Sequence, residues 1–251
     1  MTTLASGLPL RADMLPRVLE PETLDHLAHD DPVAQRSRRD LRRVNAFMGA
    51  RRILDRAMTR ALGHGPARPL RILELGCGDG RLMLEIAKHR RDRWPDARLD
   101  LLDRQPIVDA DTLGAFAAAG WEARPVVADV MDWAGVEDGE RWDLVVANLF
   151  LHHFDAPSLA RLLSACTRRA NAIAACEPRR SRFALAASHL IFFLGANAVT
   201  RNDGVLSVRA GFVDRELAAA WPEEAASWRV DEYDDGLFTH CLAASRRRAS
   251  P

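Results

Sequence analysis

Arg71-Ile72-Leu73-Glu74-Leu75-Gly76-Cys77-Gly78-Asp79-Gly80-Arg81 is a short apolar run that closes on an acid and then on three glycines at alternate positions. Ile72, Leu73 and Leu75 are too few for a helix before so many glycines, whereas the residues from Arg81 to Lys88 resume with helical propensity. The stretch therefore predicts a strand, a tight turn and a helix start. Glycine lacks a Cβ and accepts positive φ, so a ligand can lie against the main chain while the following helix presents unpaired N–H groups. The spacing predicts a binding site at this turn.

Two ligand classes use such turns, dinucleotides and S-adenosylmethionine (SAM). A dinucleotide fingerprint counted from Gly76 requires glycine or alanine where Arg81 stands, so the helix-packing glycine is absent and the nicotinamide reading weakens. The pattern Glu74-x-Gly76-x-Gly78-x-Gly80 resembles the first motif of the class I SAM-dependent methyltransferases, a resemblance that implies an acid ordering the methionine end of the cofactor.

Upstream, Pro21 to about Leu62 has helical character, broken at Asp30-Asp31-Pro32. Leu41, Val44, Phe47, Met48, Ile53, Leu54, Ala57 and Met58 recur at three- and four-residue steps and predict an amphipathic helix or pair. The ordinary reading of Arg38, Arg39, Arg42, Arg43, Arg51 and Arg52 is a solvated face, with phosphate or RNA recognition the minor alternative. The Gly/Pro cluster from Gly63 to Pro69 predicts a boundary, giving an N-terminal helical cap at 1–66 and a Rossmann-like domain at 67–251.

Downstream, strands and helices alternate. Ala97 to Asp103 predicts a second strand ending in an acid about twenty residues beyond the glycines, where a βαβ unit returns a carboxylate to a ribose. One carboxylate can accept from both ribose hydroxyls. A helix from Asp111 to Ala119 leads to a third strand, Pro125 to Val130, and Trp142 to Phe154 predicts an apolar strand for the middle of a parallel sheet. Helix Pro157 to Arg169, strand Ala172 to Glu177 and a final hairpin from Trp228 to Ala244 complete the chain, with Arg246 to Arg248 as a tail. The predicted fold class is α/β, a doubly wound, mostly parallel seven-stranded sheet with a final antiparallel hairpin strand.

On these motifs the chain is identified as a member of the class I SAM-dependent methyltransferases, over about Arg71 to Glu177 in motif and to Ala244 in topology. More loosely it resembles methyltransferases acting on polyketide or quinone-like phenols, through Leu149 to Phe154, Glu177 to Arg180 and Ser207 to Phe212. The resemblance implies SAM as cofactor, bound by Glu74, Gly76, Cys77, Gly78, Gly80, Asp103 and Arg104, with Glu74 ordering its methionine end and Asp103 at the ribose. It further implies Asp129 and the Val130 N–H at the adenine, and Asn148 and Leu149 beside the cofactor. Asp132 is a near competitor for the adenine role.

For the base that deprotonates an acceptor, the strand-end pair His152 and His153 competes with ordinary packing; if the strand runs through them only one faces the acceptor. His153 is the choice, because it matches the histidine after the fourth strand in small-molecule enzymes of this type, and His189 is the alternative. A lid insertion is expected at about 179–212, with Phe183, Leu185, Leu190, Ile191, Phe192 and Phe193 facing an acceptor or packing a core or dimer interface.

Composition excludes other classes. The formal charge balances to zero, which disfavours nucleic acid and an anionic membrane surface. Cys77, Cys166, Cys176 and Cys241 show no metal-ligand spacing and read as reduced cytoplasmic thiols. No signal segment or membrane span is predicted. The fourth strand ends in Asn148-Leu149-Phe150-Leu151, unlike the Asn-Pro-Pro-Tyr type of amide and base methylating enzymes, and the catechol-type magnesium ligands are not evident, so no metal is expected. The expected function is methyl transfer from SAM to a small, largely apolar acceptor, a phenol or hydroxyl, by a monomer or homodimer. The alternatives are an inactive SAM-fold binding module and a nucleotide-dependent reductase, the latter disfavoured because Tyr233 in the last hairpin is the sole tyrosine.

Overall fold

A computed structural model describes residues 15–63, 68–136, 139–189 and 195–247. Seven strands, β1 (Arg71–Leu75), β2 (Arg98–Asp103), β3 (Glu122–Val127), β4 (Trp142–Asn148), β5 (Ala170–Pro178), β6 (Trp228–Asp235) and β7 (Thr239–Arg246), form one sheet. Its order is β3-β2-β1-β4-β5-β7-β6. β1 to β5 pair in parallel and β7 inserts antiparallel between β5 and β6, as the sequence predicts.

The middle strand β4 is buried along both faces from Trp142 to Ala147, the condition for an apolar parallel strand covered by helices. On one face α2 (Ala50–Leu62), α3 (Arg81–Arg90) and α4 (Ala110–Ala118) cover Ile72, Leu99, Leu101, Leu144 and Val146. On the other, α5 (Val130–Gly135) and α6 (Ala156–Arg169) cover Leu73, Leu75, Val145 and Ile173.

The predicted N-terminal stripe divides in two. α1 (Pro32–Met48) starts on Asp31, whose carboxylate accepts from the Val33 and Ala34 N–H groups with Pro32 at the first helical position. It buries Ala34, Ser37 and Asp40, while Phe47 stays 70 % exposed. After the break at Gly49, α2 buries Ile53, Leu54, Ala57, Met58 and Ala61 against the sheet. The helix expected in the cap is thus a layer of the main core; the expected boundary between 66 and 67 lies outside the described residues.

Two strand ends differ from expectation. The apolar run does not continue to Phe154: β4 stops at Asn148, Leu149 takes φ 51° with its N–H donated to the Cys176 carbonyl, and Leu151–His153 form a 3-10 turn. β3 ends at Val127, because Asp129 accepts from the Met131 N–H and starts α5 instead. Pro125, which has no N–H, is tolerated because β3 is an edge strand.

Beyond β5, α7 (Arg182–Ser188), α8 (Ala198–Ala210) and the short α9 (Glu216–Ala219) precede the hairpin. Leu190, Ile191, Phe192 and Phe193 lie outside the described residues, as does Arg248. Phe183 is 57 % exposed and stacks on Phe238. A strap before α1 is stapled over α8: the Asp203 carboxylate accepts from the Thr23 and Leu24 N–H groups at 3.0 and 2.9 Å, and the Val18 N–H donates to the Arg209 carbonyl. Among the described residues no helix is long and apolar enough to cross a membrane.

Under α9 the buried His240 bridges Glu232 and Asp234, both at 2.7 Å, while Glu232 also accepts from the Leu217 and Ala218 N–H groups. Burial opposes the charged imidazole, yet the two carboxylates outweigh it and raise its pKa. A base raised on folding contributes stability that is complete below its unfolded value near ~6.5 and disappears as pH rises through the folded value. Denaturant unfolding of His240→Gln should therefore show a larger loss relative to wild type at pH 6 than well above neutrality. An equal loss at both pH values would leave His240 a packing residue.

Candidate functional site

β1 carries Glu74 and Leu75 to the C-terminal edge of the sheet, where the chain turns at Gly76 and Gly78 with φ of 64° and 55°. The two glycines are required for different reasons. A Cβ on Gly76 would meet the Phe150 ring at 2.2 Å, whereas one on Gly78 would meet nothing within 4 Å. Gly76 is fixed by a side chain lying on it; Gly78 leaves the main chain bare toward the cavity.

Asp103, at the end of β2, ties this turn in place. One carboxylate oxygen accepts from the Gly78 N–H and the other from the Gln105 N–H, both at 2.9 Å. Each oxygen keeps a further lone pair for a hydroxyl donor. Glu74 is different: it is 3 % exposed and its Oε2 has no hydrogen-bond partner. Burial, and then the charges of Asp79 and Asp103, push its carboxyl up to about 8. Glu74 thus presents an unpaired acceptor oxygen at the wall of a cavity. Burial likewise pushes the Cys77 thiol up, so Cys77 stays a neutral wall residue.

The cavity is about 610 Å³, within the range of small-molecule sites. From Glu74, Gly78 and Asp103 it extends under α1 and the strap to Asn148, Leu149 and His152. Arg38, Arg42 and Arg51 belong to its wall, so the arginine-rich run is not wholly a solvated face. Arg42 pairs with Asp79 at 2.6 Å and Arg38 donates to the Gln105 side chain at 2.9 Å.

At the far end stands His152, 2 % exposed. Its Nδ1 lies 2.8 Å from Glu177 and its Nε2 lies 3.4 Å from Glu22 of the strap, which also accepts from the Ser207 hydroxyl. Burial opposes the imidazolium, but the two carboxylates prevail and push it up to about 9. Next to it, His153 Nδ1 sits 3.2 Å from Asp25. Because this segment is a 3-10 turn, the two imidazoles do not point to opposite sides as a strand would require; their centroids are 4.2 Å apart.

Comparison with known proteins follows the same geometry. Residues 72–171 match the sequence profile of a family described as "Methyltransferase domain". Residues 72–171 carry a methyltransferase domain. Over 88 residues it is 35 % identical to a trans-aconitate 2-methyltransferase of Mycobacterium tuberculosis, a match covering 35 % of this chain and 29 % of that protein. The corresponding enzyme of Streptomyces avermitilis is 34 % identical over 88 residues, 34 % of this chain and 30 % of that one. The chain thus matches under a third of the length of these curated relatives. Among solved structures, the plantazolicin methyltransferase BpumL in complex with SAH superposes with a TM-score of 0.61 at 14 % identity, covering 87 % of this chain and 92 % of that one. An O-methyltransferase family protein from Burkholderia thailandensis gives 0.59 at 17 % identity, covering 88 % and 62 %. At these identities the superpositions establish the fold.

Within the methyltransferase domain, Glu74, Gly76, Cys77, Gly78, Asp103, Arg104, Asn148 and Leu149 all lie on the cavity wall. Gly80 caps α3, Asp129 and Val130 begin α5, His153 stands behind His152, and the exposed His189 ends α7; none of these five is on that wall. Glu22, Asp25, Ser207 and Glu177 join the site beyond the residues that the sequence predicts. Glu177 did carry a signal, an acid at the C-terminal end of a parallel strand like Glu74 and Asp103. Glu22 carried none, since only the fold of the strap brings it across the cavity.

The lone Glu74 carboxyl has a measurable signature. An acid raised on folding lowers stability as pH climbs from its unfolded value near 4.5 to its folded value near 8, because the unfolded chain ionises first. Glu74→Gln should abolish that decline and be more stable than wild type at pH 8 by an amount on the order of a few kcal/mol. Parallel stability curves from pH 5 to pH 8 would refute the assignment.

Proposed function

We propose that this domain binds SAM against the glycine turn and transfers its methyl group to an oxygen nucleophile of a small molecule held between α1, the strap and His152. The observation that carries the reading is that the unpartnered Glu74 and the Glu22–His152–Glu177 group open onto one cavity. The residues fit the cofactor: Glu74 offers an acceptor to an amino group, Asp103 has lone pairs for two ribose hydroxyls, and Gly78 leaves space beside the main chain. Asp129 with Val130, at the start of α5 after β3, is the pair we propose for the adenine. When bound, SAM supplies an electrophilic methyl on a sulfonium; the protein aligns the acceptor and excludes water, which can lower a barrier by roughly 7–11 kcal/mol in favourable cases.

Proton removal falls to the acceptor end, where Glu22 and His152 are on the wall and His153 adjoins them. The expected acceptor is a phenol or hydroxyl of a secondary metabolite, worked on inside the cell. A carboxylate acceptor is the second reading, favoured by Arg38, Arg42 and Arg51 on the wall and by relatives named for trans-aconitate. The strap, α1 and α8 act as the lid in this reading, with Glu22 of the strap and Ser207 of α8 on the wall. A reductase gains no support: Tyr233 is on β6 under the Arg60 guanidinium, off the cavity wall.

Titration calorimetry should show binding of S-adenosylhomocysteine (SAH) and none of NAD, with Asp103→Ala weakening SAH at least tenfold, about 1.4 kcal/mol. SAH affinity unchanged in that variant would reject the ribose assignment. Glu22→Gln and His152→Ala should retain SAH binding while lowering turnover by roughly 10²-fold, the deficit shrinking as pH approaches the acceptor's own ionisation. A panel of phenols and small polycarboxylates decides the acceptor class.

A further inference from the structure

We propose that Glu22, His152 and His153 bind one divalent transition-metal ion at the acceptor end of the cavity. The strap folds a 3-10 turn at Thr23–His26 that presents Glu22 and Asp25 to the adjacent histidines after β4. One nitrogen from each imidazole and one Glu22 oxygen lie within 4.8 Å of one another. Two nitrogens and a carboxylate oxygen are a donor set used for zinc, cobalt and iron(II), with further positions left for an exchangeable ligand.

The surroundings of the histidines point the same way. Each imidazole has a carboxylate at Nδ1, Glu177 at 2.8 Å for His152 and Asp25 at 3.2 Å for His153. Such bracing fixes the tautomer, the arrangement common to metal-bound histidines, and in His152 it leaves Nε2 facing Glu22. The His152 Nε2 to Glu22 separation of 3.4 Å is longer than the 2.7–2.9 Å usual for a charge-assisted bond, whereas the Nδ1 to Glu177 distance is normal. The charge balance also suits a dication, since Glu22, Asp25 and Glu177 converge on two imidazoles. Arg104 pairs with Asp25, and Arg17 donates to the carbonyls of His152 and Phe154.

The role of the ion, unlike its binding, rests on the methyl-transfer reading. An ion at this place would bind the acceptor oxygen as a Lewis acid and lower its pKa, easing loss of the proton before the oxygen attacks the methyl carbon.

The test uses the full chain, dialysed against a chelator and titrated with Co²⁺, followed by visible absorption and calorimetry. One Co²⁺ per chain with ligand-field bands, displaced by Zn²⁺, is expected. Glu22→Gln and His153→Gln, both on partly exposed side chains, should each weaken Co²⁺ at least tenfold with unchanged circular dichroism, and His89→Gln should bind as wild type. Absence of saturable one-to-one uptake, or equal uptake by wild type and both site variants, would overturn the site. SAH binding by the metal-free chain is measured alongside: its loss with Co²⁺ uptake intact would overturn the cofactor reading and leave the ion site standing.

Discussion

The carboxylate of Glu177 is fully buried at the end of β5, and the architecture of the site follows from how it is paired. An ionised group withdrawn from water is tolerated only when its lone pairs are filled. Glu177 fills them from the chain that leaves β4, accepting from the N–H groups of Phe150, Leu151 and His152 at 3.1, 2.8 and 3.3 Å and meeting the His152 ring as well. Those bonds bend an apolar strand into a 3-10 turn. The turn then lays the Phe150 ring on Gly76, so one buried charge on β5 dictates a glycine at the end of β1.

Three acids occupy equivalent places, the C-terminal ends of β1, β2 and β5, and their environments differ. Asp103 is satisfied by two N–H groups and works as a clamp between turns. Glu177 is satisfied by three and works as the anchor of the histidine turn. Glu74 is left with an unpaired oxygen and a raised pKa, because burial and then the charges of Asp79 and Asp103 oppose its ionised form. Their convergence is a property of topology: β1 has β2 on one side and β4 on the other, and open α/β sheets bind ligands at such a point of reversal.

The cavity is closed by a segment that the alternating βα pattern does not include. The strap reaches the site through backbone bonds to Asp203 and Arg209 on α8, and its acids then meet the histidines. The result is a cavity lined by charged as well as apolar side chains. Leu24, Leu41 and Ile107 share the wall with Glu22, Asp25, Arg38 and Arg42.

The sequence by itself determined the alternation of strands and helices and the glycine turn after β1, because apolar periodicity, glycine at tight turns and acids at strand ends are local signals written within one βα unit. Glu74, Gly78 and Asp103 were legible in that way. Tertiary structure alone decided which histidine faces the cavity, since that depends on Glu177, some twenty-five residues away, pulling the chain out of the strand. It also decided that α2 is core and α1 is wall, although both are amphipathic, because only packing distinguishes a face against a sheet from a face against a cavity. The Glu22–His152 pairing spans 130 residues of chain, and no periodicity or spacing encodes a contact between a strap and a turn that meet only after both have folded onto α8.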